Sequence, residues 1–200
     1  MPILITGCAR SGTSLTASIF KAHDLDLGTV NGLFENTSIR EHLLKPMIER
    51  AGGDRLGQSR LPSIGVNPPV SSLRARVEKH FTGPWAYKDA MLSLVWRTWA
   101  DAFPEAKWVI VRRSVESIAK SCMYTPFMRA YQTESEWHDW ALACIWRLQD
   151  LRCSMKCPEI DMDQVMRGNF ESMRKAFEYC EIEFEQPLAE SLLDPTKWRH

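Results

Sequence analysis

Pro2 to Thr6 (PILIT) is an apolar run that stops at Gly7, and Leu15, Ile19 and Ala22 then recur at helical spacing. A buried strand therefore feeds a helix through Gly7-Cys8-Ala9-Arg10-Ser11-Gly12-Thr13-Ser14. The glycines let the backbone curl until successive N–H groups converge on one point, which the positive end of the helix also faces. Such a turn is a cradle for an anion. Thr13 and Ser14 add hydroxyl donors to it, and Arg10 and the hydroxyls set it apart from an ordinary glycine turn.

The rest of the chain keeps the same alternation. A short strand is expected near Leu25 to Gly28. Ser38 and Glu41 have capping-box spacing at the start of a helix carrying Leu43, Leu44, Met47 and Ile48, which Pro46 should kink. Strands are predicted at Trp85–Lys88, Lys107–Val111 (KWVIV) and Glu159–Met162. Helices are predicted around Leu73–Phe81, Leu92–Trp99, Val115–Met123, Trp137–Leu151 and Phe170–Cys180. Strands separated by helices give an α/β fold with a central parallel sheet in three α/β/α layers. Ligands then gather beyond the carboxyl ends of the strands, at Gly7–Ser14, Lys88–Ala90 and Arg112–Ser114. One domain over residues 1–200 is expected, with a long Gly/Pro/Ser/Asn-rich loop at about 52–72.

Composition removes several classes. Lys plus Arg and Asp plus Glu are 25 each, so no overall field points to nucleic acid or a membrane surface. An anionic ligand must be held by local donors. No apolar run is long enough to span a bilayer, and the N-terminus enters a strand directly, which predicts a cytoplasmic protein. The six cysteines lack zinc-finger spacing, and no metal site is expected; Cys144 and Cys180 fall on apolar helical stripes.

The first turn has the G-x4-G spacing of a Walker A loop, but Thr13 stands where that motif requires lysine. That lysine bridges the β- and γ-phosphates of a triphosphate, so a ligand with a single 5'-phosphate suits this turn better. A phosphatase reading of Cys8 fails because Ser14 stands where its arginine belongs. After the central strand, Arg113 is followed eight residues later by Ser121. Arg presents a planar fork to phosphate oxygens and Ser adds a neutral donor.

Ile5 to Leu15 (ITGCARSGTSL) resembles the 5'-phosphosulfate loop of bacterial and tyrosylprotein-type sulfotransferases, with Ala9 in place of the usual Pro. Arg113 and Ser121 match the spacing of that family's 3'-phosphate residues. Trp85–Leu92 (WAYKDAML) resembles its W-x-x-K-D-P-R-L segment with Ala90 and Met91 as departures, and Phe103–Lys107 (FPEAK) its lead into the central strand. The resemblance implies a P-loop nucleoside triphosphate hydrolase-like fold and transfer of the sulfuryl group of PAPS (3'-phosphoadenosine-5'-phosphosulfate), with no metal. The acceptor would be a hydroxyl or amine on a small molecule or carbohydrate. Arg10, Ser11, Gly12, Thr13 and Ser14 would hold the 5' end of the donor, and Arg113 and Ser121 its 3'-phosphate. Arg10 and Lys88 would supply catalytic cations. Ala90 excludes the histidine base used by many cytosolic members, and Glu35 takes the position used by tyrosylprotein-type enzymes; Phe34 beside it would withdraw the carboxylate from water. His42 and Asp89 are the other candidates for the base. Residues 52–72 and 124–135, with Tyr124, Phe127 and Tyr131, are expected to wall the acceptor, and Lys197 or Arg199 to reach the 3'-phosphate. The alternatives are a donor-binding module without transfer, and a P-loop nucleotide kinase.

Overall fold

The computed structural model describes residues 1–61 and 70–193. The chain runs β1 (Ile3–Gly7), α1 (Thr13–Ala22), α2 (Thr37–Ile39), a π-helical turn (Arg40–Leu44), α3 (Lys45–Arg50), α4 (Val70–Glu78) and β2 (Ala86–Lys88). It continues through α5 (Leu92–Ala102), β3 (Lys107–Arg112), α6 (Val115–Met123), α7 (Glu134–Met155), β4 (Glu159–Asp161), α8 (Met162–Val165), α9 (Glu171–Tyr179) and α10 (Gln186–Ser191). Expected residues 62–69 of the long loop, and Lys197 and Arg199, lie outside the described residues.

The four strands form one parallel sheet in the order β2-β1-β3-β4. Leu4, Tyr87, Trp108 and Ile110 face the layer built from α3, α5, α6 and α7. Their neighbours Ile3, Ile5, Ala86, Val109 and Val111 face α1, α9 and α10. Successive strand side chains point to opposite faces, and both faces are buried, so these strands are apolar throughout. The expected three-layer α/β/α arrangement is the observed one.

The chain leaves β1 toward one side to make β2, then crosses to the other side to make β3. The carboxyl ends of β1 and β3 are thus the switch point of the sheet, where such folds leave a crevice. Gly7 ends β1 opposite Val111.

Two local expectations are corrected. Leu25–Gly28 makes only a single bridge, Asp26 to Trp85. The Asp26 carboxylate accepts from the N–H groups of Gly28 and Thr82, at 2.7 and 2.9 Å, which closes a turn rather than extending a strand. The helix cap is Asn36, not Ser38: its Oδ1 accepts from Ile39 N–H at 3.1 Å, and its Nδ2 donates to Leu27 O at 3.1 Å. That second bond anchors Asn36 in the interior, and the helix starts where the anchor is.

The irregularity expected from Pro46 lies in the turn before it. Proline has no N–H to return to the His42 carbonyl, and the helix widens into the π turn, with Lys45 N–H donating to Arg40 O. Arg76 takes up the His42 carbonyl instead, at 3.2 Å.

A Cβ at Gly7 would stand 2.4 Å from the Val111 carbonyl oxygen and 2.7 Å from Ser11 Oγ. Gly7→Ala should therefore lower unfolding stability by about 1–3 kcal/mol, the usual cost of overpacking a filled site. Urea denaturation measures it, and an unchanged midpoint would mean that the strand end has slack.

Candidate active site

The turn after β1 has the backbone of an anion nest. Arg10 and Gly12 take φ of 72° and 98°, so left-handed residues flank Ser11. Gly12 caps α1 with no side-chain hydrogen bond, and the first turn of α1 holds no acidic residue. The helix end is thus left without a side-chain anion of its own. Ser11 Oγ is buried and has no hydrogen-bond partner among the described residues. An orphaned buried hydroxyl costs about 1–3 kcal/mol unless something else meets it. A phosphate-type oxygen fits the donors present here.

Arg10 joins this turn to the second motif. Its Nε donates to Ser121 Oγ at 3.0 Å, and its carbonyl accepts from Arg113 at 3.3 Å. Ser121 and Arg113 are both buried. The strand end at Arg113 and the helix α6 at Ser121 therefore converge on the glycine turn, across more than half of the sequence. Arg113 also faces Asp163 of α8, Nε to Oδ1 at 3.6 Å, and the other Asp163 oxygen accepts from Ser114 N–H at 2.8 Å. Burial pulls the Arg113 guanidinium below its ordinary range, and Asp163 offsets part of that. Asp163 was not anticipated; only its place just after a short strand hinted at it.

On the other side of the turn lies a buried cluster of charges. Lys88 Nζ donates to Leu33 O at 3.0 Å, to Ser14 Oγ at 3.2 Å and to Glu35 Oε1 at 3.2 Å. The other Glu35 oxygen accepts from Asn31 Nδ2 at 3.1 Å and lies 3.2 Å from Arg40. Arg40 also pairs with Asp89, which accepts from Tyr87 Oη at 3.4 Å and from Met91 N–H at 2.9 Å. The local sequence explains how Glu35 is aimed. Asn31 Oδ1 accepts from the N–H groups of Leu33 and Glu35, at 2.8 and 3.1 Å. That folds Asn31–Glu35 into a tight turn which holds Phe34 at φ 59°, a left-handed conformation unusual for an aromatic residue.

Two of these charges, on Asp89 and Lys88, are kept there against stability. Asp89 is held above the ordinary carboxylate range, by burial first and Glu35 next. Lys88 is held below the ordinary amine range, because burial outweighs its carboxylate neighbours. Burial opposes the charge on Arg40 too, but Asp89 and Glu35 prevail and raise it. A carboxylate raised in the fold contributes stability that is full below about pH 4 and is lost as pH rises through the folded value. A depressed lysine contributes only above about pH 10 and loses this as pH falls through its folded value. At neutral pH both run against folding. Groups shifted in this way and gathered in a cleft make a candidate functional site.

The cavity at this point is about 300 Å³. Arg10, Thr13, Ser14, Glu35, Lys88 and Asp89 line it together; Ser11, Gly12, Arg113 and Ser121 stand outside its wall. Arg40, which sequence reasoning passed over, lines it too. Its position in the π turn was not legible without the fold. Of the expected acceptor walls, Phe127 reaches the cavity, whereas Tyr124 is exposed elsewhere. The two wall segments are stapled by buried Gln58, which donates to Phe127 O at 2.7 Å and accepts from the N–H groups of Arg129 and Ala130, each at 2.9 Å. Tyr131 does not line the cavity but donates to Gln58 O at 3.0 Å. His42 is not part of the cavity wall.

Fold and site define a parallel α/β protein with a nest-shaped turn and an uncapped helix N-terminus at its switch point. A family model described as a sulfotransferase domain matches residues 2–185, and the chain belongs to that family. The fold is similar to the sulfotransferase domain from the Synechococcus PCC 7002 olefin synthase, at 13% identity and TM-score 0.61, covering 100% of this chain and 83% of that one. It is similar to the sulfotransferase domain from the curacin biosynthetic pathway, at 10% identity and TM-score 0.59, over 97% and 78% of the two chains. Sulfotransferase STF9 from Mycobacterium avium aligns at 12% identity and TM-score 0.55, over 96% and 66%. No curated protein matches the sequence. Among the described residues no helix is long and apolar enough to cross a membrane.

Arg40→Leu should cost about 3–5 kcal/mol at neutral pH, by leaving Asp89 buried without its cation. The deficit should shrink toward about pH 4, as Asp89 takes up a proton. Urea unfolding at the two pH values tests this; an equal deficit at both would show that Arg40 does not carry the charge of Asp89.

Proposed function

We propose that the protein transfers the sulfuryl group of PAPS to a hydroxyl or amine of a small-molecule or carbohydrate acceptor. The observation that carries this reading is the contact of Lys88 with both Ser14 of the glycine turn and Glu35. One cation thereby sits between an anion cradle and a carboxylate, the three parts that such a transfer requires.

In this reading the N–H groups of Ser11 to Ser14, with the Ser11 hydroxyl, receive the 5'-phosphate and stabilise the charge that grows on it as the bond to sulfur breaks. Arg113 and Ser121, drawn together by Arg10, hold the 3'-phosphate through the guanidinium fork and a neutral hydroxyl. Lys88 neutralises the transferring group in line with the acceptor. Glu35 accepts the acceptor's proton as the new oxygen–sulfur or nitrogen–sulfur bond forms. Asn31 and Arg40 keep the Glu35 carboxylate aimed into the cavity, and the buried setting strengthens each of these electrostatic contacts. The cations are side chains throughout, so the reading calls for no metal.

Calorimetry with PAP (the desulfonated donor), ATP and ADP, with and without magnesium, tests the donor assignment. PAP should bind without magnesium, and Arg113→Ala should weaken it by about 10–100-fold, the share of a charge-assisted phosphate contact. Preferential binding of magnesium-ATP would overturn the reading in favour of a nucleotide kinase. Lys88→Met and Glu35→Gln should each lower kcat by roughly 100-fold or more while PAP affinity changes little for Glu35→Gln. PAP binding with no transfer to any of a broad panel of alcohols and amines would leave a donor-binding module.

A further inference from the structure

The cavity carries more positive charge than the transfer chemistry uses. Its wall holds five basic side chains, Arg10, Arg40, Lys45, Lys88 and Arg147, against three carboxylates, Glu35, Glu41 and Asp89. Lys88 and Arg40 are tied to Glu35 and Asp89, and Lys45 to Glu41. Arg147 is different. It projects from α7, is 4% exposed and lines the cavity. One of its terminal nitrogens donates to the Leu61 carbonyl and the other to Cys144 Sγ at 2.9 Å. Among the described residues its buried Nε has no hydrogen-bond partner and no carboxylate pairs with it.

Cys144 offers Arg147 only partial relief. Burial works against ionisation of the thiol, while a hydrogen bond from Cys8 and the Arg147 charge draw it below the ordinary thiol range. A single sulfur meets one corner of the guanidinium and leaves Nε unanswered. Holding a buried cation in this state is unfavourable unless a bound anion completes it. The same cavity wall has an apolar part, made by Leu56, Met91, Phe127, Met128 and Trp140. A buried fork that shares a cavity with apolar side chains recognises a planar carboxylate joined to an apolar body.

We propose that Arg147 and this apolar wall form the acceptor subsite, and that it selects an acceptor carrying a carboxylate at a distance from the hydroxyl that is modified. The word acceptor rests on the sulfuryl-transfer reading; the carboxylate site itself does not. The apolar body lies on Phe127, Met128 and Trp140, and the carboxylate completes Arg147.

The test uses short- to medium-chain ω-hydroxy fatty acids and their methyl esters, titrated by calorimetry into the whole protein with and without PAP. A ladder of chain lengths removes the need to know the span from Arg147 to Lys88 in advance. At the best length the acid should bind at least about tenfold more tightly than its ester, the share of one charge-assisted pair. Arg147→Gln should abolish that preference and leave PAP affinity unchanged; Arg147→Lys, which keeps the charge without the fork, should retain part of it. Equal binding of acids and esters to the native protein, no binding of either, or a preference that survives Arg147→Gln overturns the proposal. Should Arg147→Gln fail to fold, the acid-to-ester ratio of the native protein and of Arg147→Lys decides. If PAP does not bind while the acids still discriminate through Arg147, the sulfuryl-transfer reading falls and the carboxylate site stands.

Discussion

The parallel pairing of β1 with β3 governs the rest of the molecule. It is continuous from Ile3 to Gly7, and it ends with a glycine pressed against the Val111 carbonyl. Because no side chain intervenes there, the chain can turn at once beneath the end of β3. The carbonyl of Arg10 then comes within reach of Arg113, the residue just beyond that strand. A further bond secures the neighbouring strand end, as Thr6 Oγ1 donates to Asp89 O at 3.0 Å. Three strand ends are thus fixed relative to one another by the ladder and by side chains that bond to backbone carbonyls. The turn, the Arg113 pair and the Lys88–Asp89 segment inherit their positions from them.

What those contacts hold in place is charge withheld from water. Lys88 and Glu35 face each other as a preformed ion pair, and Arg40 bridges Glu35 to Asp89. Substituting packed apolar residues for such a group generally leaves a protein as stable or more so. The cost is met by the two extensive apolar layers on either side of the sheet, where Trp99, Trp108, Trp137 and Phe177 are almost wholly buried. The left-handed Phe34 is a smaller cost of the same kind, and it falls beside the carboxylate that it helps to aim.

Much of this was legible in the residues because the strongest signals are local. The apolar run before Gly7, the KWVIV strand and the long stripe from Trp137 to Leu151 each specify an element through periodicity alone, and each forms. Legibility faded where a distant partner decides. Ser38 and Glu41 have the spacing of a cap, but Asn36 wins because its amide reaches Leu27 across the fold. Asp26 terminates a strand-like segment because Thr82 lies opposite it. Glu35 and Lys88 were identifiable through family resemblance, and the fold brings them together. Arg40, Asp163 and Arg147 were invisible for a common reason: an arginine or aspartate on a helix reads as solvated until tertiary structure brings its partners to it.

The π turn at Arg40–Leu44 has a geometrical consequence of its own. An inserted residue advances everything after it by about 100° around the axis, the angular step of an α-helix. Leu43, Leu44, Met47 and Ile48 can therefore sit in the interior while Arg40, Glu41 and Lys45 look into the cavity. A uniform helix through the same residues would have to choose between seating its apolar stripe and delivering Arg40 to Asp89. The bulge works as a phase shifter, and the proline after it, together with the arginine that takes up the stranded carbonyl, keeps the two faces out of step.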